Sequence, residues 1–290
     1  MSASFAHTKA ACVQVNAGTE IAPNLAAAGD LVRRARDRGA ELIALPENVS
    51  MMVLGRRKLL VRAAPEDSHP GIPFFADLAR ETGATLLVGS LAIALPGGEQ
   101  VANRSYLFDP SGAVVARYDK IHMFDVDLPG GESYRESATF RPGGQAVVAP
   151  TPWGELGMTI CYDIRFAYLY RALAQAGAGI LTVPAAFTRQ TGRAHWHVLL
   201  RARAIETGCY VIAPAQTGTH DENRQTYGHS LIVSPWGEVL ADAGEAVGVV
   251  TAEIDMSKVA EARNAVPALG HDCDYAPPRT DAQPLLAAGD

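Results

Sequence analysis

Cysteine is scarce in this chain: there are four in 290 residues, at positions 12, 161, 209 and 273. No two are close in sequence and no Cys-x-x-Cys pair occurs, so neither a zinc ribbon nor a local disulfide framework is encoded. Scattered thiols of this kind suit a reducing compartment. A basic excess is missing too. The formal net charge is -6, which argues against nucleic acid as the main partner, because phosphate binding needs a positive face. Long apolar runs are absent. Leu86–Leu95, the longest, contains Gly89 and Ser90 and is far too short to cross a bilayer. Residues 1–10 have no basic start followed by an apolar stretch, so they do not read as a secretory signal. These absences leave a cytoplasmic protein with no nucleic-acid or membrane partner as the expectation.

Apolar residues make up 48% of the chain, enough for one large core. The reading is a single domain over 1–290, with a core at 7–265 and a polar, Pro-rich C-terminal arm at 266–290. Apolar patterning places strands at 9–16, 42–45, 85–95, 101–108 and 113–118, and helices at 21–38 and 72–81. Residues 119–144 show no period; their His, Phe and Tyr residues favour an ordered, functional loop. The second half is patterned like the first, with a strand at 153–160, a helix at 166–176, a strand at 180–183, a helix at 194–206 and a strand at 210–214. Two strands about Ser234-Pro235-Trp236-Gly237, a strand at 247–254 and a helix at 258–263 follow. Helix–strand alternation with hairpins predicts an α/β protein of two mixed sheets face to face with helices outside. The likeness of the halves hints at internal pseudo-symmetry.

Four residues carry chemistry in this pattern. Cys161 stands at a strand-to-helix junction, where a helix N-terminus would favour a thiolate; the inert alternative is a packed thiol. Glu47 follows a buried strand end, and lost solvation should raise its pKa toward that of a general base; the alternative is a cap or surface carboxylate. Lys120, flanked by apolar and aromatic residues, either enters a pocket or snorkels. Glu136 is a second carboxylate in the same loop region, or else a partner of Arg135. His122, His195, His197 and His229 invite a Cys-His alternative. His195 and His197, at i and i+2, face apart on a helix, and no local His spacing suggests a metal site. No cofactor is implied.

Together, Leu45-Pro46-Glu47-Asn48, Tyr118-Asp119-Lys120-Ile121-His122 and Ile160-Cys161-Tyr162-Asp163-Ile164-Arg165-Phe166 resemble the nitrilase superfamily of carbon-nitrogen hydrolases, nearest to its Nit amidases. Thr191–Trp196, Arg201–Glu206, Tyr227–Ser230 and Pro235–Gly237 extend the match over nearly the whole chain. The resemblance implies a four-layer α-β-β-α sandwich that pairs through its helices into a dimer or larger homo-oligomer. It implies Cys161 as nucleophile, Glu47 as general base, Lys120 as electrostatic partner and Glu136 as an assisting carboxylate. It also implies substrate-binding roles for Tyr162, Arg165, Phe187, Thr188, His195 and His197. The expected activity is hydrolysis of the terminal amide of a small carboxylic acid to acid plus ammonia through a thioester, with deaminated glutathione the favoured substrate. The rivals are an ω-amidase acting on α-keto acid amides, an N-carbamoyl amino acid hydrolase and a non-enzymatic scaffold. Arg165, Arg189 or Arg224 could hold a substrate carboxylate. One departure stands out: the family pattern usually has glutamate where this chain has His197.

Overall fold

The computed structural model describes residues 6–129 and 131–276. It has two six-stranded sheets. In the first, β1 (His7–Gln14), β2 (Leu42–Ala44) and β3 (Thr85–Ala94) run parallel, flanked by antiparallel β4 (Val101–Phe108), β5 (Val114–Asp119) and the late strand β16 (Gly248–Asp255). The second orders β8 (Val147–Thr151), β9 (Gly154–Met158), β10 (Ile180–Thr182), β11 (Tyr210–Ala213), β14 (Leu231–Val233) and β15 (Val239–Asp242). Read from β16 and from β8, both sheets show the same sequence of pairings: antiparallel, parallel, parallel, antiparallel, antiparallel. The hinted pseudo-symmetry is therefore a property of the topology, and β1 and β9 are counterparts.

Period-two alternation explains the layers. On β1, Ala10 and Cys12 join the core shared with the second sheet, while Ala11 and Val13 join the core under α1 (Ile21–Asp37) and α3 (Gly71–Thr82). Leu42 and Ala44 divide from Ile43 in the same way on β2. The far face of the second sheet is covered by α4 (Ala167–Gln175) and α5 (Arg189–Thr207), whose Leu173, Trp196 and Leu200 are buried. The result is the four-layer α-β-β-α sandwich. Gln14 ties the two sheets with a polar bond: its Oε1 accepts from the backbone and hydroxyl of Ser230 at 2.8 and 2.9 Å. Both groups are fully buried, so each must find its partner inside the protein.

The sequence left several elements unread. Helix α2 (Arg56–Arg62) is only seven residues long, too short for its period to show. Helix α5 starts at Arg189 rather than 194, because Thr188 caps it by accepting from Thr191 N–H. Gly192 does not break that helix; a Cβ there would lie 2.4 Å from the Tyr227 side chain. Within 119–144 the structure forms a small hairpin, β6 (Asp125–Asp127) with β7 (Ser133–Arg135), followed by a 3-10 turn at Glu136–Ala138. A second small hairpin pairs β12 (Thr217–Thr219) with β13 (Gln225–Tyr227). Helix α6 (Ser257–Ala265) leads into the arm. At its start, Gln175 donates to Leu269 O (3.2 Å) and to Asp272 (2.6 Å), and Arg171 pairs with Asp272. Residues 277–290 of the arm lie outside the described residues. Among the described residues, no helix is long and apolar enough to cross a membrane.

Candidate active site

The site sits where the carboxyl ends of counterpart strands meet. Beyond β2, Leu45-Pro46 delivers Glu47; beyond β10, Val183-Pro184 delivers Ala185 and Ala186. Between them passes Gly89 of β3. A Cβ at 89 would fall 2.1 Å from Leu45 O and 2.5 Å from the Pro184 Cβ, so only glycine lets the two strand ends approach. The β3–β4 register shifts at this point, and Ser90 turns its hydroxyl to accept from Asn48 N–H at 2.8 Å. Glu47 is fixed by Ala186 N–H, which donates to its Oε2 at 2.8 Å.

Cys161 follows β9 and opens a 3-10 turn, Cys161–Arg165. Its φ is +48°, a left-handed conformation costing a β-carbon-bearing residue about 1–2 kcal/mol. The fully buried Asp163 holds that turn. Its carboxylate accepts from Ile160 N–H (2.9 Å), Tyr118 OH (2.6 Å) and His122 N–H (3.0 Å), joining the Cys161 turn to the segment that carries Lys120.

Lys120, 2% exposed, lies between two carboxylates: Nζ is 3.1 Å from Glu47 and 2.8 Å from Glu136. Asn103 on β4 donates to the same two acids, at 2.9 and 3.3 Å. The Cys161 thiol lies beside the Glu47 carboxylate, and each shifts the other's titration. Glu47, Lys120, Glu136 and Cys161 thus form one connected cluster on the wall of a cavity of about 440 Å³.

The electrostatics correct two expectations. Burial pushes the Glu47 carboxyl up, but the Lys120 charge, the neighbouring Cys161 thiol and hydrogen bonds from Asn103 and Lys120 outweigh it, and the pKa falls below the ordinary carboxylate value. Burial works against the Lys120 charge, yet Glu136 and Glu47 hold its pKa above the usual lysine range. The Cys161 thiol is pushed well up, by burial first and then by the Glu47 charge, against the pull of Lys120. A thiolate held by a helix N-terminus is not what the structure presents: α4 begins only at Ala167, and the resting pair is a thiol beside a carboxylate.

Of the other sequence candidates, Tyr162, Phe187 and Thr188 line the cavity. Arg165, His195 and His197 do not. Arg165 meets His195 Nδ1 at 3.3 Å, and its guanidinium lies 5.4 Å from the centre of the Phe187 ring. His197 points to Asp242 at 3.1 Å. On the helix that carries both, His195 is exposed and His197 half-buried, while Trp196 and Leu200 face the sheet. Arg189 likewise pairs with Glu245 at 2.7 Å. Of the three arginines considered for a carboxylate, Arg224 alone lines the cavity. It donates to Ala186 O at 3.0 Å and lies 5.3 Å from the Tyr134 ring centre, and its Nε is buried without a partner. His122 is no base for the sulfur: its nitrogens meet Asp163 at 2.7 Å and Tyr168 OH at 2.6 Å. Sequence reasoning missed Asn103; the signal was a lone amide in the otherwise apolar start of β4, Val101-Ala102-Asn103.

A family model, carbon-nitrogen hydrolase, matches residues 9–264, and the chain belongs to that family of enzymes. Within it, the chain is 43% identical over 265 residues to a deaminated glutathione amidase of Synechocystis, covering 90% of this chain and 97% of that one. It is 41% identical to the deaminated glutathione amidase of Homo sapiens, covering 90% of this chain and 81% of that one. Among solved structures it is similar to the C. elegans NitFhit protein, at 36% identity and a TM-score of 0.86, over 93% of this chain and 66% of that chain.

Proposed function

We propose that this protein is an amidase that acts through a thioester on Cys161, with deaminated glutathione as its substrate. The observation that carries the reading is the thiol–carboxylate–ammonium cluster on the cavity wall. Glu47 removes the thiol proton as sulfur adds to the amide carbonyl. Negative charge collects on the former carbonyl oxygen, where Lys120 and the backbone N–H of Tyr162 stabilise it. Glu47 returns its proton to the nitrogen and the C–N bond breaks. Water, deprotonated by Glu47, then attacks the thioester and restores the thiol. With deaminated glutathione the departing group is a dipeptide amine; ammonia leaves only from primary amides, so the expectation of ammonia release is amended for this substrate. Glu136 and Asn103 hold Lys120 and Glu47 in place.

The low pKa of Glu47 gives this mechanism a pH signature. The base form exists well below neutrality, so kcat/KM should stay level from about pH 8 down to about pH 5 and fall only near or below the ordinary carboxylate value of about 4.3. Any stability that Glu47 gains from its depressed pKa is complete above that value and lost as pH falls through the folded one. An acid limb centred near pH 6.5 would mean that burial governs Glu47 after all.

Arg224 is the anchor we assign to the substrate's α-keto carboxylate, because it lines the cavity and a guanidinium can hold a carboxylate in two parallel hydrogen bonds. For Arg224→Met we expect KM up about tenfold or more with kcat little changed. The substrate is tested by comparing kcat/KM for deaminated glutathione, α-ketoglutaramate and an N-carbamoyl amino acid, following acid product rather than ammonia. Deaminated glutathione should rank first. A clear preference for α-ketoglutaramate would make the protein an ω-amidase, and no turnover of any would favour a scaffold.

The same reading takes residues 1–290 as one domain with a C-terminal arm. It includes a cytoplasmic location, supported by four unpaired thiols and testable by fractionation. It also includes self-association through the outer face of α4 and α5, supported by exposed Tyr168, Val198, Ile205 and Trp236. Light scattering on the purified protein tests that last point; a monomer at micromolar concentration would remove it.

A further inference from the structure

Three separate elements bring His197, His229 and Asp242 together outside the cavity. His197 comes from α5, His229 from the turn before β14, and Asp242 from the end of β15. His197 Nε2 lies 3.1 Å from Asp242 Oδ2, and His229 Nδ1 lies 2.9 Å from Asp242 Oδ1. One donor atom from each residue falls within 4.8 Å of the other two. We propose that this cluster is a binding site for a divalent cation of borderline softness, Zn²⁺ by preference.

The donor set is two imidazoles and one carboxylate, which suits Zn²⁺ better than the hard cations that seek all-oxygen cages. Bonds of about 2.0–2.2 Å to a tetrahedral ion place donors roughly 3.3 Å apart, so the nitrogen–oxygen spacings present need little adjustment. The fourth position faces outward and would hold water, since the three side chains are 33, 22 and 33% exposed for His197, His229 and Asp242. The frame is also rigid. His229 is held with φ +53°, its N–H bonded to Gly244 O and its carbonyl accepting from Trp196 Nε1, each at 2.7 Å. Its ring stacks on Tyr227 at 4.4 Å. Asp242 is oriented by Gly244 N–H at 2.8 Å. A local spacing rule could not find this site, because its ligands stand 32 and 13 residues apart (229 − 197 and 242 − 229). The ion would brace α5 against β15 and take no part in hydrolysis, since none of the three lines the cavity.

The test is calorimetric titration of tag-free protein with Zn²⁺, in a Cys161→Ala background that removes the active-site thiol as a competing ligand. We expect one equivalent bound at micromolar or tighter Kd, weakened at least tenfold by His197→Gln and by Asp242→Asn. His197 is partly exposed on a helix, so His197→Gln should keep its Tm. Absence of saturable binding below about 100 µM, or binding that both variants retain, would overturn the site and leave a hydrogen-bonded cluster only. Because the readout is metal binding, failure here would leave the amidase reading untouched.

Discussion

Cys161→Ala should reduce kcat/KM by about 10⁴-fold or more, equivalent to roughly 5.5 kcal/mol of transition-state stabilisation, while Tm moves by no more than about 2 °C. The two expectations come from different parts of the structure. The thiol is the strongest nucleophile toward an amide carbonyl in the cluster, and neither the two carboxylates nor the protonated Lys120 is expected to replace it. Its contribution to the fold is small. The left-handed backbone at 161 is no harder for alanine than for cysteine, and losing the polar contact with Glu47 costs at most about 1 kcal/mol. Turnover is measured with the preferred amide and stability by thermal melting. A variant that keeps a tenth of wild-type turnover would place the nucleophile elsewhere.

The second large effect is a joint loss. Lys120→Met should lower kcat/KM by about 10²–10³-fold, through the missing stabiliser of the oxyanion. Unlike Cys161→Ala it should also destabilise the fold. Glu47, buried, and Glu136, partly buried, would be left sharing the Asn103 amide with no cation between them. Breaking such a pair costs about 3–5 kcal/mol, or roughly 5–8 °C of Tm for a chain of this size. The sign with pH follows. Two adjacent buried carboxylates cannot both stay ionised, so one takes a proton and its folded pKa rises above the unfolded value. That proton's stabilising effect is full below the unfolded pKa and lost as pH rises through the folded one. The Tm gap between wild type and variant should therefore narrow from pH 8 to pH 5. A gap that is small, or constant with pH, would mean that Lys120 is not what holds the two acids.

The sequence brought Glu47, Lys120, Glu136 and Cys161 into one site only through the family resemblance of its motifs, since each residue by itself also has an inert reading. It could not give the sign of the Glu47 shift. Burial follows from an apolar run, but the opposing donors, Asn103, Lys120 and Cys161, come from segments far away in sequence and meet only in the fold. The same limit explains the substrate candidates. Arg165 and His195 are near Cys161 in motif terms, yet they bond one another outside the cavity, while Arg224 lines it from the loop joining β12 to β13, a short hairpin with no visible period. Strand positions were legible to within about two residues, since β3 and most of β1 are short apolar runs buried on both faces and bounded by turn residues. Strand β8 was not read, for its residues are only partly buried and Pro150 interrupts the pattern.

The mechanism stands or falls on one event: the acyl group of the amide passes onto the Cys161 sulfur before it meets water. Hydroxylamine partitioning reports on that event. With the preferred amide and rising hydroxylamine, a thioester yields an acyl hydroxamate growing in proportion to the nucleophile at the expense of the free acid, from wild type and not from Cys161→Ala. Steady release of the free acid with no hydroxamate at any hydroxylamine concentration would contradict it.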